Sequence, residues 1–261
     1  MMEPLVDIKL HPPSGTIILN RPDRRNALSR ILLMNLKQAF EDLHQERKVR
    51  AVILTGAGAA FCSGMDLQEM QATAQDSQAQ SQWYDDANQY QDLLETMLRF
   101  PKPIIAAVNG PAVAGGAGLV LASDIVIASS EASFGLPEPR RGLVAGLVAP
   151  LLVYRLGAGH AANLLLSARL VDAAEAQRLG IFHEVLGGNT LWARGHEIAG
   201  QCAQSAPEAL QLTKRMLNEM IGEDLPTLLA SGAAVSATAR TTEAAAEGLA
   251  AFLEKREPRW P

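Results

Sequence analysis

Apolar and polar positions along this chain follow two rhythms, short alternating runs first and helical spacing later. Leu5 to Leu10 and Gly15 to Asn20 predict two strands, and Pro12-Pro13-Ser14-Gly15 between them predicts a hairpin turn. Asn20-Arg21-Pro22-Asp23 then breaks the strand. Ser29 is placed to cap a helix running to about Glu46, because Leu32, Leu33, Leu36, Phe40 and Leu43 recur on one face. A buried strand from Arg50 to Thr55 ends in Gly56-Ala57-Gly58. Gln71 to Gln82 is rich in Gln, Ala and Ser with almost no large apolar residue, and reads as a mobile loop or a loosely held helix. A helix from about Trp83 to Arg99 follows, ended by Pro101 and Pro103, and then the strand Ile104 to Val108, stopped by Gly110.

Ala114 to Ala122 reads as a short helix of small residues leading into the strand Asp124 to Ala128. This repeats the order strand, glycine-bearing turn, helix, so the sheet is at least partly parallel and the fold class is α/β. Asp124 is expected to cap or brace the strand it starts. Beyond Glu138 the pattern turns helical, with helices expected at 147–155, 158–166, 172–179, 190–204, 206–221 and 241–254 and little strand signal outside Phe182 to Leu186. Ser205-Ala206-Pro207 starts a new helix, so we divide the chain into an α/β core, 1–205, and a C-terminal helical region, 206–261.

With 261 residues the chain can bury a sizeable core. Lys plus Arg number 23 against 28 Asp plus Glu, a net charge of −5 that leaves no footprint for nucleic acid or an anionic membrane. A phosphate-bearing ligand would need a local basic cluster, and the candidates are Arg21 with Arg24 and Arg25, Arg140 with Arg141, and Lys255 with Arg256 and Arg259. Two cysteines, Cys62 and Cys202, make no disulfide framework, and no signal segment or apolar run of membrane-spanning length is read, so a soluble cytoplasmic protein is expected. The five histidines lack metal-ligand spacing, and no metal is assigned.

Two segments about fifty residues apart carry the chemistry: Ala60-Phe61-Cys62-Ser63-Gly64-Met65-Asp66 and Ala112-Val113-Ala114-Gly115-Gly116-Ala117-Gly118. Glycine lets main chain approach a ligand closely, and two backbone N–H groups converging on one oxygen make an oxyanion hole. The bland reading of the first segment is an ordinary strand-to-helix turn. Glu138, in Phe134-Gly135-Leu136-Pro137-Glu138, is either a solvated loop carboxylate or, in an apolar pocket, a general base with a raised pKa. Cys62 has no His nearby in sequence and reads as a packing residue.

In order and spacing these motifs resemble the crotonase superfamily, the enoyl-CoA hydratase/isomerase family, over nearly the whole chain. Leu19-Asn20-Arg21-Pro22 with Asn26-Ala27-Leu28 is similar to its opening motif, Ala60 to Leu67 and Asn109 to Gly116 to its two oxyanion segments, and Phe134 to Glu138 to its catalytic-glutamate motif. The resemblance implies a crotonase-like spiral of ββα units with a C-terminal helical region that helps form homotrimers or hexamers of paired trimers, an acyl-CoA thioester as substrate, and no further cofactor. Met65 and Gly115 would hold the thioester oxygen through their N–H groups, with Glu138 moving the proton. Arg24 and Arg25 match positions near the nucleotide end of coenzyme A, Ser63, Asp66 and Leu67 those around its adenine and pantetheine, and Phe252 with Lys255 a segment that often closes over a neighbour's ligand; Ala27 is also counted among the coenzyme A-binding positions.

One position departs from the pattern. The best-studied hydratases of this family hold one water between two glutamates, and the position matching the first is Gly118. Three activities stay open: hydration of a straight or branched enoyl-CoA with Glu138 as single acid/base, double-bond isomerisation by Glu138 alone, and noncatalytic acyl-CoA or RNA binding on the same fold. The missing side chain at Gly118 is expected to open space near the β-carbon for a bulkier acyl group. Arg140 and Arg141 either meet a distal substrate carboxylate or form a solvated pair.

Overall fold

The computed structural model describes residues 4–221 and 224–260; the Met1-Met2-Glu3 start lies outside them. Its strands, in chain order, are β1 (Val6–His11), β2 (Ser14–Leu19), β3 (Ala51–Gly56), β4 (Ile104–Val108), β5 (Ala112–Val113), β6 (Ile125–Ser129), β7 (Ser133–Gly135), β8 (Leu170–Asp172) and β9 (Glu184–Leu186). Its helices are α1 (Arg30–Gln45), α2 (Leu67–Thr73), α3 (Ala79–Arg99), α4 (Gly115–Leu121), α5 (Ala149–Ser167), α6 (Ala173–Arg178), α7 (Leu191–Ala203), α8 (Pro207–Arg215), α9 (Leu225–Ala239) and α10 (Glu243–Leu253).

β1 and β2 form the expected antiparallel hairpin, and β3, β4, β6 and β9 extend it in parallel, in the order β1-β2-β3-β4-β6-β9. Successive strand residues face opposite sides, so a sheet covered on both faces must be apolar at every position. The central strands come close to this: β3 is apolar from Ala51 to Leu54, β4 throughout and β6 from Ile125 to Ala128. Val52, Leu54, Ile104, Ala106 and Val108 join the main core with α1 and α3, while Ala51, Ile53, Ile105, Ala107 and Ile127 pack against Leu191, Ile198 and Ala199 of α7. β5, β7 and β8 make a separate small sheet.

Ser29 caps α1 as read, its side chain accepting the Leu32 N–H. Asp124 braces the sheet: its Oδ2 accepts the Ile104 N–H at 2.8 Å and pairs with Lys214 of α8 at 2.7 Å. Lys214 is buried, so removing its ammonium strands a carboxylate that cannot fully rehydrate. Lys214→Ala is expected to lower the unfolding free energy by about 2–3 kcal/mol in urea titration; a loss below ~0.5 kcal/mol would mean that the pair does not brace the fold.

The helices differ in detail from the sequence reading. The Gln-rich stretch is mostly helical: α2 is capped by the Asp66 side chain, and α3 begins at Ala79 rather than Trp83. The two helices expected at 147–155 and 158–166 are the arms of α5 on either side of Gly157, which breaks the backbone at φ 75°. α9 was not foreseen. Its apolar residues lie on both its buried and exposed sides (Leu225 and Leu229 against Leu228 and Val235), and its small Gly232 sits directly on the backbone of Gly146, so no amphipathic stripe marks it. The C-terminal helices lie on the core, α9 against α3 and α5, and α10 against α2 and the turn that begins at Glu138.

Candidate active site

Because β3 and β4 are parallel neighbours, the chains leaving their C-terminal ends run side by side. Phe61 and Cys62 donate their N–H groups to the Pro111 carbonyl at 3.1 and 3.2 Å, and Val113 returns one to Cys62 at 3.0 Å. Two asparagines clamp the first segment. Asn26, fully buried, donates to the carbonyls of Ala57, Ala60 and Phe61, while its own Oδ1 takes the Arg21 N–H. Asn109 accepts the Gly56 N–H and donates to Gly58 and Ala60. The opening motif thus works by holding the glycine-bearing turn in place.

Close approach explains the glycines. A Cβ on Gly116 would land on the Cys62 carbonyl, and one on Gly64, at φ +88°, would meet Ala114 Cβ at 2.7 Å and Gly115 N at 3.0 Å. Around Met65, the Gly64 carbonyl accepts from Leu28 and the Asp66 N–H donates to Leu28, which fixes the peptide units flanking it. Among the described residues the Met65 and Gly115 N–H groups have no acceptor. Both residues line one cavity of about 950 Å³.

Glu138 opens a short turn directly after β7 and lines the same cavity. Its Oε2 is buried without a hydrogen-bond partner. Burial pushes its pKa up to about 7 against the opposing pull of its own N–H and of Arg141, so it is not a solvated loop carboxylate. Arg140 is exposed, but Arg141 is not solvated: its guanidinium lies 4.4 Å from the centre of the Phe252 ring and its Nε is buried without a partner. Cys62 is buried, its thiol pushed up to about 12 by desolvation, which suits packing and not nucleophilic attack.

The residues that the resemblance assigned to catalysis or to coenzyme A lie around this cavity: Arg24, Arg25, Ala27, Ser63, Met65, Asp66, Leu67, Gly115, Glu138, Phe252 and Lys255 all line it, whereas Arg21, Gly118 and Arg259 do not. Their side chains differ in what they can offer. Arg24, Arg25 and Lys255 are exposed and have no carboxylate partner among the described residues, whereas the Asp66 carboxylate is committed to Arg21 at 2.6 Å and to capping α2. Asp66 can therefore meet a ligand through its backbone, not through a free charge. Phe252 and Lys255 line the cavity of their own chain.

The expectation of open space at Gly118 is overturned. A Cβ there would fall on the hydroxyl oxygen of Tyr90, with Val148 Cγ2 3.1 Å away on another side. Tyr90 comes from α3, is 3% exposed, and donates its hydroxyl to the Gly115 carbonyl. It sits among apolar residues at helical spacing, and sequence alone gave no signal for it.

A family profile described as enoyl-CoA hydratase/isomerase matches residues 15–261. The chain belongs to the enoyl-CoA hydratase/isomerase family. A relative in Thermus thermophilus is 40% identical over 246 residues, covering 94% of this chain and 96% of its own. The short-chain-enoyl-CoA hydratase of Clostridium acetobutylicum is 34% identical over 93% of this chain and 92% of its own. A crystal structure of an enoyl-CoA hydratase/isomerase from Xanthobacter autotrophicus Py2 superposes with a TM-score of 0.88 at 30% identity, covering 98% of each chain. The crotonase-type α/β fold and an enzyme of this family are therefore established. Among the described residues no helix is long and apolar enough to cross a membrane, and no group of three or more His, Cys, Asp or Glu is placed to hold a metal ion.

Proposed function

We propose that this enzyme hydrates an enoyl-CoA thioester, with Glu138 as its single carboxylate acid/base. The observation that carries the reading is the unpartnered, buried Glu138 Oε2 in the same cavity as the free N–H groups of Met65 and Gly115. Held between those donors, the thioester oxygen takes up charge as water adds at the β-carbon, each donor contributing about 3 kcal/mol to the transition state. Glu138 accepts the proton of the attacking water and returns it to the α-carbon. Arg24, Arg25 and Lys255 at the cavity mouth suit the phosphates of coenzyme A.

Isomerisation of a 3-enoyl thioester is the second reading. It is favoured by the lack, among the described lining residues, of a second carboxylate that is both buried and unpaired: Asp66 is paired with Arg21, and Asp23 is exposed. Incubation with trans-2-enoyl-CoA and with 3-enoyl-CoA in oxygen-18 water, followed by mass spectrometry, separates the two. Label at the β-carbon supports hydration; a shifted double bond without label supports isomerisation.

A base works only when deprotonated. With the Glu138 pKa raised to about 7, kcat/KM is expected to rise with pH up to about 7 and to level off above it. A profile already flat from pH 5 upward would remove Glu138 as the base.

A further inference from the structure

Tyr90 is a buried polar residue of the cavity that the single-glutamate account leaves unused. The Tyr90 hydroxyl occupies the place where a side chain at residue 118 would emerge, and it shares the cavity with Glu138. We propose that Tyr90 is a water-holding residue of the hydration step, its hydroxyl oxygen accepting one hydrogen of the water whose other hydrogen goes to Glu138. This inference rests on the hydration reading.

A phenol oxygen carries one hydrogen and two lone pairs. The hydrogen is spent on the Gly115 carbonyl, which fixes the oxygen and leaves lone pairs as acceptors. The phenol stays neutral across the working range, because burial, then Cys62 and Glu138, push its pKa well above the ordinary value. It therefore holds water without exchanging a proton. An attacking water has two hydrogens to place, and a donor left unpaired away from bulk water is destabilising. With Glu138 Oε2 taking one hydrogen and Tyr90 the other, the oxygen lone pair is left for the β-carbon. The C–O bond forms, the π electrons move through the α-carbon onto the thioester oxygen, and the proton passes to Glu138, which delivers it to the α-carbon.

The same hydroxyl also pins the Gly115 carbonyl, so the test must separate holding water from holding the oxyanion donors. Two rates do so: oxygen-18 entry at the β-carbon of trans-2-enoyl-CoA, and entry of solvent deuterium at the α-carbon of a saturated acyl-CoA, which needs Glu138 and the N–H donors but no water nucleophile. Tyr90→Phe keeps the ring in place and is expected to slow hydration by on the order of 10²-fold while leaving deuterium exchange and KM close to wild type. Gly118→Ala, whose methyl displaces the hydroxyl, should follow the same pattern. Unchanged hydration in Tyr90→Phe overturns the proposal, and so does an equal fall in both rates, which would reduce Tyr90 to a support for Gly115. Wild-type protein that puts no label at the β-carbon removes hydration itself, and with it any water for Tyr90 to hold.

Discussion

Replacing Glu138 by Gln is expected to lower kcat by about 10²–10⁴-fold while the affinity for a thioester is retained, because the amide fits the same space and cannot accept a proton. The same change stabilises the protein. A carboxyl whose folded pKa is raised, here from 4.5 to about 7, favours the fold while protonated, and that contribution is lost as pH rises from 4.5 through 7. At pH 8 the ionised side chain therefore costs on the order of 2–3 kcal/mol. The neutral amide carries no such cost. Glu138→Gln should raise Tm at pH 8 and change it little at pH 4, where both side chains are neutral. Calorimetry of thioester binding, steady-state kinetics and melts at the two pH values check all three parts. Retained turnover would remove Glu138 from the mechanism, whereas a pH-independent gain in Tm would mean that its carboxylate is not held in a buried site.

Much of this site could be read before folding because its parts are local. Gly56, Gly64 and Gly116 stand where strands end and backbones meet, and each is required by a contact that any Cβ would break. Asn26 and Asn109 belong to the opening and second motifs, although the turn they clamp is in the first segment. What escaped the sequence depends on long-range packing. Tyr90 reaches Gly115 and Gly118 only because α3 lies across α4, and in sequence it is one more large residue on a helix face. A glycine in the interior of a helix indicates that something fills the space above it, but not which residue. β5, β7 and β8 escaped for a similar reason: strands of two or three residues are defined by their partners, not by alternation.

Gly64→Ala tests whether the spacing of the two segments places the oxyanion donors. Two costs are combined at this position. The backbone sits at φ +88°, where an L side chain costs roughly 1–2 kcal/mol, and the added methyl would press on Ala114 Cβ and Gly115 N. The first cost is paid in stability alone; the second pushes one donor-bearing segment away from the other. Gly180 supplies the control, with φ +80° at the end of α6 and no atom within 4 Å of an added Cβ. Gly180→Ala should therefore lose about 1 kcal/mol of stability with kcat unchanged. Gly64→Ala should lose more, and kcat should fall by on the order of 10²-fold, the scale of one lost oxyanion donor. Denaturant melts and thioester kinetics on the pair separate backbone strain from donor displacement. If Gly64→Ala matched Gly180→Ala in both, the contact between Gly64 and Gly115 would have no part in positioning the donors, and the hydration reading would rest on Glu138 alone.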